Sequence, residues 1–206
     1  VFFGSPCDFA RTHDIFRTRI DTGELQTNYR FQEWSTTTFG SQYQQRSADT
    51  TGGIDKAIRN LSYYLQEQLQ LLDQRLIMIP GIRLDDNQSF GTAWTPSFST
   101  AYLFRETGTK LKAGYAKGFK APSLNELFFP AAFGCPAFGN PNLKPERSWE
   151  LNAGVEQDLL SERVKLGVTY FHREVKDLIE GQPIPGDPFG CFRAQNIGIA
   201  RFDGVE

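Results

Sequence analysis

Apolar and polar residues alternate along this chain in long blocks. In "LSYYLQEQLQL", Leu61, Tyr63, Leu65, Leu69 and Leu71 share one parity, and Ser62, Gln66, Gln68 and Gln70 share the other. A period of two marks a strand that is oily on one face and wet on the other. The same alternation sets Trp94, Pro96, Phe98, Tyr102 and Phe104 against Ala93, Ser97, Ser99 and Arg105. It also sets Trp149, Leu151, Ala153, Val155 and Leu159 against Glu150, Asn152, Glu156 and Asp158. Along the whole chain it predicts about nine strands, near 14–32, 35–46, 58–71, 75–85, 91–105, 109–119, 148–159, 163–175 and 190–206.

The connections sort into two kinds. Those at 32–34, 73–75, 106–109 and 160–162 are short, whereas 47–57, 120–147 and 176–189 are long. Antiparallel strands alternate in direction, so short turns fall at one end of the sheet and long loops at the other. Only the brief connection at 86–90, which belongs to the long-loop end, fits loosely. Trp34, Trp94 and Trp149 all lie near strand ends, where an interfacial aromatic girdle would put them. The pattern predicts an all-β fold, an antiparallel transmembrane β-barrel that is partial, about nine strands of a larger barrel. A soluble β-sandwich also alternates, but its strands are usually about five or six residues, roughly half the length of most segments here. Glu67 interrupts the apolar row of its strand. It lies beyond the hydrocarbon band or at a register shift, and the sequence leaves both open.

Composition agrees with strands: 18 Phe and 7 Tyr are joined by 19 Gly and 11 Pro for chain reversals. The net charge of −2 gives no broad basic surface, which excludes nucleic acid as a partner. The longest oily stretch, "LIMIPGI", is broken by Pro80 and Gly81, so no helix spans a membrane. A mean hydropathy of −0.42 suits a wall that is oily on one face only. The opening "VFFGSPCDFARTHD" lacks a basic segment followed by an apolar one, so no signal peptide is expected within it.

In "YAKGFKAPSLNELFF", Pro122 ends strand pairing, and Ser123 with Glu126 forms a capping box. A short helical turn should follow, carrying Leu124, Leu127 and Phe128 as an apolar plug over the strand end. The next stretch, "PAAFGCPAFGNPNLKPE", is stiffened by Pro136, Pro141 and Pro145 and still carries Phe133 and Phe138. Other chemistry finds no support. His13 and His172 have no ligand-spaced neighbours, so no metal site is expected. There is no G-x-S-x-G and no phosphate-binding glycine loop. "NLS" at 60 and "NQS" at 87 are chance matches to a glycosylation acceptor. Asp85 and Asp86 are read as solvated turn residues, at most a weak calcium contact.

"GYAKGFKAPSLNELFF", "GNPNLKPERSWELNAGVE", "VTYFHREVKDLIE" and "NIGIARFDGVE" together resemble, in this order and spacing, the carboxy-terminal half of TonB-dependent outer-membrane receptors. "RNLSYYLQEQLQLLDQRLIMIPGIRLDD" is similar to their preceding strands, with a G-x-R-x-D pattern at Gly81, Arg83 and Asp85. The resemblance covers roughly 60–206 and is nearest the cobalamin and siderophore receptors. It implies a barrel of 22 strands filled by an amino-terminal plug, in the outer membrane of a Gram-negative bacterium. On that basis 1–206 is expected to be partial barrel wall with outer loops, with the plug domain and the barrel-closing strand absent from it. The implied function is energised uptake of a metal chelate, siderophore-iron, cobalamin or haem. The implied partners are the TonB energy-coupling protein acting through the plug, the small-molecule chelate and outer-membrane lipid. Neither enzyme chemistry nor a cofactor is implied. The rival readings are a non-energised porin or adhesin barrel and a soluble carbohydrate-binding or hydrolytic β protein.

In that frame Cys7, Cys135 and Cys191 all fall at the long-loop end, which in the family is outside the cell and oxidising. Cys135 and Cys191 are the expected pair, with Cys7 free or bonded elsewhere; three unrelated thiols are the alternative. Phe133, Phe138 and Phe129 are the candidate ligand contacts, the first two because small neighbours leave their faces accessible. The rival reading is that these rings pack on one another to stabilise the loop, above all Phe128, which shares a helical face with Leu124.

Overall fold

The structure, a computed structural model, describes residues 15–51, 53–131, 135–160 and 163–206. It holds one antiparallel sheet in chain order: β1 (Phe16–Gln32), β2 (Ser35–Thr50), β3 (Asp55–Leu71), β4 (Leu76–Asn87), β5 (Gly91–Phe104), β6 (Thr109–Lys120), β7 (Glu146–Leu159), β8 (Val164–Pro183) and β9 (Phe192–Val205). A single short helix, α1 (Leu124–Phe128), lies between β6 and β7 among the described residues. None of these residues forms a helix long and apolar enough to cross a membrane. Each strand pairs with its sequence neighbours, so β1 and β9 are edges and the sheet is not closed.

Three strand ends depart from the alternation. β2 runs to Thr50, β3 starts at Asp55 and β8 reaches Pro183, so the connections predicted at 47–57 and 176–189 are shorter than expected. Alternation exists only where the two faces meet different media. Beyond that zone both faces are wet, and the hydrogen-bond ladder continues without a hydrophobic signature.

Register fixes which side chains share a face. Leu71, Leu76, Tyr102, Leu111, Val155 and Val168 form one continuous cross-strand row from β3 to β8. Along β4 the same face carries Leu76, Met78, Pro80, Ile82 and Leu84, eight residue steps or about 26 Å, close to the height of an outer-membrane apolar band. These side chains are bare: Leu65 is 48% exposed, Ile82 42% and Val168 53%. An apolar surface of this extent is built for a non-aqueous neighbour. Trp34 lies at its short-turn edge, and Trp94 and Trp149 at its long-loop edge.

Glu67 is resolved by its setting. It is on the apolar face opposite Pro80, which has no N–H, so the β3–β4 ladder is interrupted between Gln66↔Gly81 and Leu69↔Met78 without a change of register. The carboxylate accepts from the Ser35 hydroxyl at 2.5 Å and from the Thr37 hydroxyl. Neighbouring hydroxyls on β2 thus meet a charge that stands within the apolar row.

Candidate functional site

The opposite face is polar and closely bonded. Gly81, Arg83 and Asp85 alternate along β4 and therefore all lie on it. Arg83 donates to Asp85 (3.0 Å), Ser62 (2.8 Å) and Gln42 (2.9 Å), while Ser62 and Asn60 donate to Asp85 at 2.6 and 2.9 Å. Asn87 extends the network by donating to Asn60 at 3.0 Å. Asp85 is 2% exposed, which corrects its reading as a solvated turn residue. The strand continues through it to Asn87, and alternation turns it inward, where Arg83, Ser62 and Asn60 compensate the burial of its charge. Nearby, Tyr64 lays its ring over Gly40, where an added Cβ would fall 2.2 Å from the ring, and donates its hydroxyl to Glu24 at 2.7 Å. Across the other strands the face is laced by Arg173–Glu150 (2.7 Å), Lys120–Glu146 (3.0 Å) and Lys112–Glu156.

At the long-loop end the chain folds back over this polar face. Ser123 and Glu126 form the expected capping box of α1, the side-chain oxygen of Ser123 accepting from the Glu126 N–H. The last carbonyls of so short a helix need partners, and the following loop supplies them: Asn140 N–H donates to Glu126 at 2.8 Å and Gly139 N–H to Phe129 at 3.0 Å. Gly139 is buried so closely that a Cβ there would lie 2.5 Å from the Phe129 nitrogen. Leu127, Leu143, Ile179 and Ala194 form a small core, with Ile58, Phe128 and Phe138 packed against it. That core joins α1 to β3, β8 and β9, and so runs across the polar face.

A polar clasp reinforces the core. Asn196 of β9 accepts from the Lys144 N–H (2.9 Å) and donates to the carbonyls of Lys144 (2.9 Å) and Asp177 (2.7 Å). Asn140 donates to the Ala194 carbonyl at 3.0 Å, and the Glu146 carboxylate accepts from the Ile179 N–H at 3.0 Å. Cys135 and Cys191 are joined by a disulfide, with their Cα atoms 5.6 Å apart. The "GNPNLKPE" stretch is therefore a fastening between the loop and the last strands. Its partner Asn196 was not singled out in sequence, since nothing local distinguishes it from other polar strand residues.

Beneath α1 lies a cleft of about 270 Å³, lined by Ile20, Arg46, Ile58, Asn60 and Leu124 among others. A wetter cleft of about 470 Å³ adjoins it over Gln42, Arg83, Asn87 and Lys120. Arg46 lines both and donates to Gln44 at 2.7 Å. Of the aromatic candidates, Phe129 is 38% exposed and meets Phe138 edge-on at 6.3 Å. Phe138 is half-buried: its ring fills the gap over Gly181, and its carbonyl accepts from the Ala194 N–H at 2.9 Å. Its small sequence neighbours do not leave it open, because a glycine from β8 receives it. Phe128 packs against the core, with the Lys56 ammonium 5.9 Å from its ring centre. Phe133 and Cys7 lie outside the described residues.

An apolar belt, a bonded polar face and a loop fastened across one end together describe a barrel wall, and residues 3–206 match the family model of the TonB dependent receptor-like β-barrel. The chain belongs to this family. It is 31% identical over 180 residues to the vitamin B12 transporter BtuB of Photobacterium profundum, covering 84% of this chain and 26% of that protein. It is 33% identical over 130 residues to the ferric enterobactin receptor PirA of Pseudomonas aeruginosa, covering 56% of this chain and 17% of the receptor. The solved siderophore receptor PirA from Pseudomonas aeruginosa superposes with a TM-score of 0.76 at 23% identity, over 93% of this chain and 39% of that one. The chain thus spans well under half the length of the relatives it matches. Its nine-stranded open sheet is part of a TonB-dependent receptor barrel.

Proposed function

We propose that this chain forms part of the wall of an outer-membrane receptor that takes up a metal chelate, a ferric siderophore or a cobalamin, using energy delivered by the TonB protein through a plug. The observation that carries this reading is the division of one sheet into a bare apolar belt and a hydrogen-bonded polar face, in a chain whose relatives are named as vitamin B12 transporters and siderophore receptors. The belt meets outer-membrane lipid, and the polar face lines a lumen that holds the plug. Because Arg83, Asp85, Ser62 and Asn60 already satisfy one another, that wall is rigid and offers few free groups to trap a passing solute. The chelate is gripped at the long-loop end, where the exposed ring of Phe129 stands on a fastened loop. No covalent bond is made or broken.

The test uses the intact receptor that contains this chain, in cells with and without TonB. Radiolabelled ferric siderophore and cyanocobalamin are offered separately, and surface binding is measured apart from accumulation. One of them should accumulate only when TonB is present while binding without it. Accumulation of both regardless of TonB would instead indicate a passive pore.

A further inference from the structure

Above the apolar belt, at the long-loop end of β6–β9, two adjacent rows of the belt-bearing face change character. One row runs Phe119, Arg147, Lys176, Ile199 and the next runs Lys117, Trp149, Glu174, Arg201. Four basic side chains thus surround one acid. Glu174 engages Lys176 at 3.2 Å and Arg201 at 2.8 Å. Lys117 and Arg147 are exposed and have no acidic partner among the described residues. One row lower, Asp203 is occupied by His172 (2.6 Å) and the Tyr170 hydroxyl (2.9 Å), so it does not neutralise them. Arg147 sits directly across from Lys176. Like charges at facing positions of a sheet repel unless an anion lies between them.

The setting is interfacial. Trp149 is between Lys117 and Glu174 in its row, with its ring 5.0 Å from His172 and 6.5 Å from Tyr115, and Leu151 and Tyr115 begin the belt below. At the short-turn end, by contrast, Arg75 is paired with Glu106 at 2.6 Å. We propose that the belt-bearing face of β6–β9 binds the phosphates of a membrane lipid whose acyl chains lie along the belt, with Arg147 and Lys117 as the principal contacts. Arginine offers a planar fork to phosphate oxygens and lysine a point charge, and both act more strongly at the rim of a bilayer than in bulk water. Acyl chains on the adjoining belt favour a lipid over free phosphate. This inference rests on the outer-membrane reading above.

The experiment places the intact receptor in phosphatidylcholine nanodiscs containing bisphosphorylated lipid A, or the same glycolipid stripped of its phosphates, and measures glycolipid retained on the receptor by native mass spectrometry. Replacing Lys117→Gln and Arg147→Gln together should lower retention of the phosphorylated form about 25-fold, roughly fivefold for each charge. The stripped form should be held weakly and equally by both proteins. The charge-preserving pair Lys117→Arg and Arg147→Lys should restore retention, and the heat-dependent gel mobility of all variants should match that of the parent. Equal retention by the parent and the double Gln variant would overturn the proposal, as would complete displacement of the lipid by equimolar inorganic phosphate. Chelate uptake is measured in parallel on the same variants. Uptake independent of TonB in the parent, with lipid retention intact, would remove the receptor reading and leave the phosphate site standing.

Discussion

The two ends of the sheet close their strands by different means. At the short-turn end the chain reverses within a few residues. Leu72, Asp73 and Gln74 adopt left-handed backbone at φ 54°, 55° and 65°, and the Arg75 N–H donates back to Leu72 at 3.1 Å. Side chains there brace the turns in pairs, Arg75 with Glu106, Arg105 with the Asp73 carbonyl and Gln157 with the Thr107 carbonyl. At the long-loop end, 25 residues separate β6 from β7, and they bring a capped helix, a core, a disulfide and an asparagine clasp. A wall inside a bilayer is organised by its ladder and by the lipid. A long segment outside the bilayer has neither and must supply its own core to hold one shape.

Contrasting substitutions in an intact receptor containing this chain would break or sharpen this comparison. The largest effect should come from Ile82→Arg in the belt, which is expected to destabilise the assembled barrel by about 2–4 kcal/mol. Gln66→Arg on the polar face should change it far less, as read from denaturant unfolding in detergent. Leu127→Ala should follow at about 3 kcal/mol, localised to the loop. Limited proteolysis should then cut within 121–145 while the barrel keeps its heat-dependent gel mobility. Simultaneous loss of both would mean that the loop core helps to hold the wall.

Asn196→Ala should cost about 1–2 kcal/mol, because the backbone groups of Lys144 and Asp177 lose their partner. Faster amide exchange at Lys144, without a change at the short turns, is the expected signature. The smallest effect belongs to the exposed Glu106, whose carboxyl is held below its usual range by its own backbone N–H and then by Arg75. A lowered carboxyl contributes stability that is complete above the ordinary glutamate range, about pH 4, and disappears as pH falls through the lowered value. Parent and Glu106→Gln proteins should therefore differ slightly at neutral pH and converge in acid.

The number of strands, the face taken by the residues of the alternating segments and the end to which each loop belongs were legible in the sequence. These depend on the period of two, which lipid on one side and water on the other impose on every strand they touch. The capping box at Ser123 and Glu126 was legible for a related reason, since both of its bonds form within four residues. The resemblance carried by "NPNLKPE" gave the family without the reason for the motif.

Tertiary structure alone decided what that motif does. Asn196 reaches Lys144 across 52 sequence positions, and Phe138 finds its place over Gly181. Asp85 became a buried network member because β4 outlasts its own hydrophobic pattern and its neighbours Ser62 and Asn60 arrive from another strand. Each of these depends on the register between strands distant in sequence. Register is set by the whole ladder at once, so no local run of residues contains it.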